Sequence, residues 1–423
     1  MSSTTDVVIV GAGLAGLAAA RELSINGTDV LVLDRDTRVG GRVKSDVVDG
    51  FTLDHGFQLY NPAYPESARV LDHAALDLRG FTPGVVVAGE SGSSYLADPR
   101  KAPTWALRSV SPRTGSALSK ARFAAYALSA ARTPAHDLES RTDTSAAVAL
   151  RGAGTDEALF DRVLRPFLAG VFLEDQLATS RHFLDLVLKS FVEGVPALPA
   201  RGMGAIPHQL AAALPEGSVR LSTSARAVRQ IQHGVEVDTD VGTTTARAVI
   251  VATDAPAAAH LLPDVTAPRG NSVTTWYHAA PAGTVIAHGR PILVVDGDNR
   301  GPVINSVALT NAVPEYSSHG RVLISSSVLG NHDDDSRDEA VRAHLAIMHQ
   351  QSTANWDQVG RYAITYALPA MLPPFSVRRS VHVAGDIFVA GDHRDTSSIQ
   401  GAMVSGRRAA QAVLERLGHR LIS

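Results

Sequence analysis

Three glycines near the start of the chain have the spacing that holds a phosphate group against the backbone. Gly11, Gly13 and Gly16 follow an apolar run, Val7 to Val10, and precede an alanine- and leucine-rich stretch typical of a helix. In such a turn the first glycine permits the tight bend, the second lets the backbone approach a pyrophosphate, and the third lets helix and strand pack closely. The helix N-terminus then offers free N–H groups to the phosphates. The pattern predicts a dinucleotide site.

An acidic residue ends the next predicted strand. Asp29 to Leu33 is a second strand-like run, and Asp34 follows it directly. A carboxylate at this distance from the glycines accepts hydrogen bonds from a ribose diol. A plain βαβ turn would account for the glycines by themselves. The strand, the helix and the terminal acid together favour dinucleotide binding.

The residues after Asp34 indicate which dinucleotide is bound. Val39-Gly40-Gly41-Arg42 follows closely, and Asp54-His55-Gly56 comes next. This order resembles the flavin amine oxidase superfamily, which includes monoamine oxidases, protoporphyrinogen oxidases and carotenoid desaturases. The resemblance implies FAD. Besides the three glycines of the first turn, the resemblance implies that these residues of the segment bind the cofactor: Asp34, Arg35, Gly40, Gly41 and Arg42. Members often carry arginine where this chain has Asp36, so one contact expected in the superfamily is missing at that position.

A second motif lies near the other end of the chain. The apolar run Ile387 to Ala390 leads into Gly391-Asp392, and Gln400-Gly401-Ala402 follows in a predicted helix. This resembles the second FAD motif of the same superfamily. The resemblance implies that Asp392 hydrogen-bonds the ribityl hydroxyls. It also implies that Gln400, Gly401 and Ala402 bring a helix N-terminus to the flavin pyrimidine, where negative charge accumulates on reduction.

The motifs and the chain length predict an α/β fold with two domains. At 423 residues the chain is too long for one simple core. We expect a split Rossmann-like FAD-binding domain with an inserted α+β substrate domain. The FAD-binding domain takes residues 1–75, 196–258 and 376–423, and the substrate domain takes 76–195 and 259–375. The segment 76–195 is expected to be largely helical, with breaks at Pro112, Pro134 and Pro166 and a hairpin at 84–98.

Composition excludes several classes of function. Hydrophobic residues make up 45% and charged residues 19%, and the net charge of −3 gives no reason to expect a nucleic-acid partner. The chain has no cysteine, which excludes cysteine-ligated metals and a cysteinyl flavin link, so FAD is expected to be non-covalent. We predict no metal site, since Asp333-Asp334-Asp335 is interpreted as a solvated helix cap. No apolar run has transmembrane length, and no secretory signal is evident, so cytoplasmic residence is predicted.

One segment is strongly basic. Between Pro99 and His136 there are seven basic residues and no acidic ones, with Trp105, Phe123 and Tyr126 among them. A solvated helical face is the simpler interpretation. The alternative is peripheral contact with an anionic membrane through residues 100–132, which would make the protein membrane-associated.

The resemblance implies a reaction but identifies no catalytic side chain. In the superfamily a hydride passes from a substrate C–H bond to flavin N5, and the candidates here are His55 and Tyr366. Two features of its amine oxidases are missing. No lysine follows Lys189, and Ser398 stands where an aromatic residue aligns the amine.

These differences favour a desaturase- or dehydrogenase-like oxidoreductase acting on an apolar or small organic substrate. The alternatives are an amine oxidase that produces an imine, an FAD-dependent isomerase without net redox, and a flavin-free binding protein on the same fold. The sequence leaves the substrate, the electron acceptor and the oligomeric state open.

Overall fold

The computed structural model describes residues 4–98, 100–102, 109 and 111–418. The strands are β1 (Thr4–Val10), β2 (Val30–Leu33), β3 (Ser45–Val48), β4 (Phe51–Asp54), β5 (Leu78–Gly80), β6 (Gly84–Ala88), β7 (Ser94–Ala97), β8 (Ala197–Pro199), β9 (Val219–Arg220), β10 (Ala225–Ile231), β11 (Gly234–Thr239), β12 (Gly242–Val251), β13 (Gly270–Ala280), β14 (Leu293–Asp296), β15 (Val303–Ala308), β16 (Val322–Leu329), β17 (Asp357–Pro369), β18 (His382–Ala384) and β19 (Ile387–Val389).

The α-helices lie between and after these strands. They are α1 (Leu14–Ile25), α2 (Pro65–Val70), α3 (His73–Leu76), α4 (Ala117–Arg132), α5 (Ala135–Leu138), α6 (Ala146–Gly152), α7 (Glu157–Leu159), α8 (Arg165–Phe172), α9 (Arg181–Glu193), α10 (Ala205–Ala212), α11 (Ala255–Leu261), α12 (Asp338–His349) and α13 (Ile399–Leu417).

The first sheet is built around parallel strands buried on both faces. Its order is β10-β11-β12-β1-β2-β9, and β19 pairs with β12 and carries β18 at its edge. Strands β9, β2, β1, β12 and β19 run parallel. Helices α1 and α13 pack together over one face, which explains why Val7 to Val10 is a continuous apolar run rather than an alternating one. The predicted α/β, Rossmann-like fold is confirmed.

The second sheet is mixed and mostly antiparallel. Its order is β17-β13-β16-β15-β14-β6-β7, and β14 pairs with β6 in parallel. Alternate residues of β6 face opposite layers. Val85 and Val87 pack against the helices of residues 117–188, whereas Val86 packs with α12 residues Val341 and Leu345.

The two sheets draw on the chain segments expected from the sequence. The first takes strands from 4–33, 219–251 and 382–389, and the second from 84–97 and 270–369. Two features cross the predicted domain borders. Strand β5, from the predicted substrate domain, pairs with β8 from the predicted FAD-binding domain, and α11 extends past residue 258, where an FAD-binding segment was expected to end. The domain boundaries themselves stay a prediction.

The segment 76–195 holds most of the helices, together with the hairpin β6–β7. The predicted break at Pro166 is wrong. A π-helical turn, Phe160–Leu164, carries the chain from α7 into α8, and Pro166 occupies the first turn of α8. The backbone stays helical into α8, and Arg165 N donates to the Phe160 carbonyl oxygen in the π-helical turn directly before the proline.

Candidate functional site

One large cavity of about 980 Å³ is lined by residues from both sheets and from the helices α8 and α9. This volume is at the upper end of the range for ligand and cofactor sites. At one end lie the glycine turn after β1 and the end of β2. At the other end lie side chains of the second sheet. The cavity therefore joins the predicted cofactor motifs to a separate compartment.

Each glycine of the first turn has a distinct steric environment. Gly11 has a φ of +111°, and a Cβ there would lie 2.7 Å from the Ala252 carbonyl oxygen. Gly16 packs so closely under the strand that a Cβ would overlap the Gly11 carbonyl. A Cβ on Gly13, by contrast, would meet nothing within 4 Å, and this glycine lines the cavity. The turn is tightly packed on its protein side and open toward the cavity at Gly13.

The second glycine pair packs on the first turn. Gly40 N donates to the Ala12 carbonyl oxygen at 2.8 Å, and a Cβ on Gly41 would lie 3.4 Å from Gly13 Cα. Both glycines have positive φ, +118° at Gly40 and +60° at Gly41, which side chains disfavour. Two backbone segments thus line the same part of the cavity.

Asp34 holds the glycine turn while lining the cavity. Its Oδ2 accepts from Ala12 N at 2.6 Å and its Oδ1 from Asp36 N at 2.8 Å. Arg35 lines the cavity beside it. Sequence reasoning missed Lys44, which also lines the cavity and forms an ion pair with Asp36. Because Lys44 donates a hydrogen bond to it, the pKa of Asp36 lies below its ordinary value.

Lys44 provides a cation near the position where the superfamily often has arginine. The signal that could have found it is the hairpin β3–β4, which begins one residue later. Residues 223–226 were missed as well. They line the cavity next to Asp34, where Thr223 N donates to the Asp34 carbonyl oxygen at 2.8 Å. They match no motif in the sequence.

The two motifs from opposite ends of the chain meet at an ion pair. Arg42 Nη2 lies 2.8 Å from Asp392 Oδ1, and Arg42 Nη1 donates to the Ala367 carbonyl oxygen at 2.7 Å. Asp392 Oδ1 is buried and lies outside hydrogen-bond geometry with the described residues. Both residues line the cavity.

The N-terminus of α13 forms another wall of the cavity. Ser398 caps the helix, since its Oγ accepts from Gly401 N at 2.9 Å. Gln400 and Ala402 line the cavity, and Gln400 Oε1 accepts from Glu66 N at 3.1 Å. Gly391, which has a φ of +146°, lines it as well.

Gly401 and Gly16 do not line the cavity. A Cβ on Gly401 would overlap the Thr396 carbonyl, so this glycine permits close packing of the turn that precedes α13. Gly401 thus positions the start of α13 without lining the cavity itself, and its predicted place in the cofactor site stays a prediction. Gly16 has the packing role that its place in the motif predicts.

His55, one catalytic candidate, lines the cavity but is held by neighbours. Its Nε2 lies 2.8 Å from Asp46 Oδ2, and its ring centroid is 4.5 Å from that of Tyr362. Tyr362 and Arg38 also donate to Asp46. Burial raises the pKa of Asp46, but these three donors outweigh it and lower the pKa to about 2. His55 is thus oriented by a carboxylate that stays ionised.

Tyr366, the other candidate, is not among the residues that line the cavity. Its hydroxyl donates to the Pro268 carbonyl oxygen at 3.1 Å, and burial raises its pKa above the ordinary value. This contact ties β17 to the chain before β13. A catalytic role for Tyr366 has no support in this position.

The far compartment is mainly apolar. The second sheet contributes Val273, Leu293, Asn305, Ser327 and Ile364. The helices contribute Phe167, Val171, Phe183, Leu186, Val187 and Phe191. Lys189 lines the cavity from α9, but its Nζ lies 2.9 Å from Glu193 Oε1 and donates to the Ala131 and Thr133 carbonyl oxygens. The sheet residues that line this compartment include no lysine.

Several basic side chains of the basic segment form hydrogen bonds or ion pairs with other groups of the protein. Lys101 donates to the Phe191 and Gly194 carbonyl oxygens, and Lys120 to those of Ser109 and Ser111. Arg100 pairs with Asp98. Arg108 and Trp105 lie outside the described residues. Membrane contact through 100–132 stays a prediction.

Two further features bear on function. Across residues 4–98 and 111–418, with the few described residues between them, no cluster of histidine and acidic side chains could hold a metal ion. Asp334 caps a short 3-10 turn before α12, as the sequence suggested. None of the described helices is both long and apolar enough to cross a membrane.

Comparison with known proteins places the chain in a family. The model of the flavin containing amine oxidoreductases matches residues 14–414. The chain belongs to this family. The predicted superfamily is confirmed, and with it the coarser statements that the chain is a member of a flavin-containing enzyme family and has oxidoreductase relatives.

The relatives of this family member differ in activity. A putrescine oxidase from Kocuria rosea is 47% identical over 72 residues, which is 17% of this chain and 15% of the relative. The protoporphyrinogen oxidase 2 of Arabidopsis thaliana is 41% identical over 70 residues, 16% of this chain and 14% of the relative. The chain thus matches about a seventh of the length of these relatives. Their activities do not transfer on that basis.

The fold likeness extends over nearly the whole molecule. A putative protoporphyrinogen oxidase from Exiguobacterium sp. 255-15 superposes with a TM-score of 0.72 at 18% identity, covering 98% of this chain and 100% of that one. At this identity the likeness establishes the shared fold and not the substrate.

Proposed function

We propose that this family member is an oxidoreductase that binds FAD non-covalently and oxidises an apolar or small organic substrate. The observation that carries the proposal is the continuous cavity. It joins the glycine turn and Asp392, at its cofactor end, to the apolar compartment lined by residues such as Val273 and Ile364.

The residues at the cofactor end fit FAD. The open space at Gly13 leaves room for a pyrophosphate against the backbone. Asp34 and Asp392 line the cavity and supply carboxylate acceptors for ribose and ribityl hydroxyls, with Asp392 held in place by its ion pair to Arg42. Arg42 and the N-terminus of α13 supply positive charge, which suits a phosphate and an electron-accepting ring.

The available side chains support non-covalent binding. The chain has no cysteine. Of the histidines described, His55 and His260 line the cavity, and His55 Nε2 is already engaged by Asp46.

Bound FAD would supply the acceptor for a hydride removed from a substrate C–H bond. The protein then has to bind the substrate, exclude water and fix its orientation. The apolar side chains of α8 and α9 suit these tasks, because burial of apolar surface is favourable and shape restricts the pose. Position matters greatly here, since small misplacements of a reacting group can cost on the order of a hundredfold in rate.

Two observations favour an apolar substrate over an amine. Ser398 Oγ caps α13, so this position offers no aromatic side chain to align an amine. Lys189 is bonded to carbonyl oxygens and paired with Glu193, so its ammonium is not free to hold a water at a flavin. Amine oxidation remains the competing activity.

Anaerobic mixing of the FAD-loaded enzyme with a substrate panel tests the proposal. Polyenes and cyclic apolar compounds are compared with putrescine and benzylamine, and flavin bleaching is followed by absorbance. We expect bleaching by members of the apolar set and slow or no bleaching by the amines. Rapid bleaching by an amine with none by the apolar set would make the protein an amine oxidase. Activity that appears only after chemical reduction of the flavin would indicate an isomerase.

A further inference from the structure

The second sheet places an amide side chain, that of Asn305, in the wall of the cavity. Asn305 on β15 and Ser327 on β16 are register partners across the strand pair, and both line the cavity. The other residues of the second sheet that line it are apolar: Val273, Leu293, Ile364, Ala367 and Leu368. A polar spot of two neighbouring residues therefore lies within an otherwise apolar part of the sheet.

The amide of Asn305 is not satisfied by the protein. The residue is 3% exposed, and its Oδ1 has no hydrogen-bond partner among the described residues. Buried side-chain polar atoms without a partner are uncommon, because burial removes their bonds to water without replacing them. A hydrogen bond supplied by a ligand would satisfy this group.

The helix opposite leaves room for this side chain. Gly170 on α8 also lines the cavity, and a Cβ there would overlap Asn305 Nδ2. α8 follows directly on the π-helical turn Phe160–Leu164, a feature that is frequent at functional sites. Any larger residue at 170 would displace the amide from the cavity wall.

The charges nearby restrict the ligand group to a neutral one. The sheet residues that line this compartment carry no charge. Lys189 and Glu193, which line the cavity from α9, are paired with each other. An ionised group would therefore be buried without a counter-charge, which is costly. A hydroxyl both donates and accepts hydrogen bonds, as the asparagine amide does. Because the terminal torsion of asparagine is broad, the side chain can present either Oδ1 or Nδ2 to that hydroxyl.

We infer that Asn305, with Ser327 beside it, is a specificity-determining residue that binds a neutral hydroxyl on an otherwise apolar substrate. The inference rests on the proposed function and deepens it by naming the substrate class as apolar alcohols. Gly170 is a positioning residue for the amide.

Binding to the FAD-loaded enzyme tests the inference without requiring turnover. Flavin difference absorbance is titrated with three alcohol–hydrocarbon pairs: benzyl alcohol with toluene, cyclohexylmethanol with methylcyclohexane, and geraniol with myrcene. One hydrogen bond to a buried, unpaired amide is expected to favour the alcohols by roughly tenfold in Kd. Asn305→Leu is expected to reduce this preference to less than about twofold, and Asn305→Ala to do the same without added bulk.

Asn355→Ala, at an exposed asparagine that does not line the cavity, is the matched control and should keep the preference for alcohols. Equal binding of alcohols and hydrocarbons to the wild type would overturn the inference while leaving the apolar-substrate proposal intact. Persistence of the preference in both Asn305 variants would also overturn it, as would loss of flavin or folding in both. If benzylamine bleaches the flavin and no alcohol or hydrocarbon perturbs it, the proposed function fails and the inference fails with it.

Discussion

Arg42 Nη2 lies 2.8 Å from Asp392 Oδ1, so an ion pair at the cavity wall joins the beginning and the end of the chain. Burial lowers the pKa of Arg42, but the adjacent Asp392 carboxylate, helped by Asp254, outweighs it and raises the pKa above its ordinary value. Arg42 therefore stays ionised at neutral pH. The pair holds the second FAD motif against the first.

We predict that Asp392→Asn weakens FAD binding by about ten- to a hundredfold. The change removes the charge opposite Arg42 and one buried acceptor, and hydrogen bonds to charged groups contribute about 1.5–3 kcal/mol. The measurement is the Kd of FAD for the apoprotein, followed by flavin fluorescence. Asp386→Asn is the control, since Asp386 precedes the same strand, β19, and pairs with Arg416 of α13 but does not line the cavity. Equal affinity in the two variants would contradict the assignment of Asp392.

We predict that Gly13→Val produces a folded protein without flavin. Its Cβ would project into open space that faces the cavity, where a pyrophosphate would have to lie. Gly152→Val is the matched control, because its Cβ would also meet nothing within 4 Å but faces solvent on α6. Gly16→Val should instead lower Tm sharply, since its side chain would overlap the Gly11 backbone. Full flavin content in Gly13→Val, measured from the visible absorbance, would refute this use of the turn.

We predict that acid precipitation of the yellow protein releases all flavin to the supernatant. The chain has no cysteine, and His55 is engaged by Asp46. Absorbance of supernatant and pellet at the flavin maximum gives the result. A pellet that stays yellow after washing would mean a covalent histidyl link, and His260→Gln would then show whether the second cavity histidine carries it.

We predict that acid destabilises the protein partly through His349. Burial, with a smaller effect from His344, lowers its pKa from 6.5 to about 4. The unfolded chain therefore binds the proton first as pH falls. As the pH falls from 6.5 to about 4, the free energy of unfolding therefore decreases by about 3 kcal/mol in total.

Urea unfolding of the wild type and of His349→Gln at several pH values measures this effect. Glutamine keeps a partner for Ser306 Oγ, which lies 3.0 Å from His349 Nε2. The dependence of the unfolding free energy on pH should become shallower in this variant and stay unchanged in His136→Gln, where the side chain is 78% exposed. The same slope in all three proteins would rule out His349 as a source of the pH dependence.

Much of the cofactor end was predictable because its information is local. A tight turn needs glycine at positive φ, and a parallel strand buried on both faces needs a continuous apolar run. Gly11 and β1 satisfy these rules within a few residues of each other. The same holds for the hairpin β6–β7, which was expected at 84–98.

Residues that act through position were not predictable in this way. Lys44 reaches the cavity because its ion pair with Asp36 closes a short loop, and residues 223–226 reach it because β9 pairs with β2. The break expected at Pro166 failed for a related reason. A π-helical turn before it changes the backbone register in a way that local propensity does not encode.

The sequence by itself determined the family, the α/β fold and the two cofactor motifs, since each depends on residue types at fixed short spacings. Tertiary structure alone decided that Arg42 pairs with Asp392 and that Asn305 Oδ1 lies in the cavity wall without a partner among the described residues. These relations join segments that lie far apart along the chain. They arise from how the sheets and helices pack, and no local pattern of residues specifies that packing.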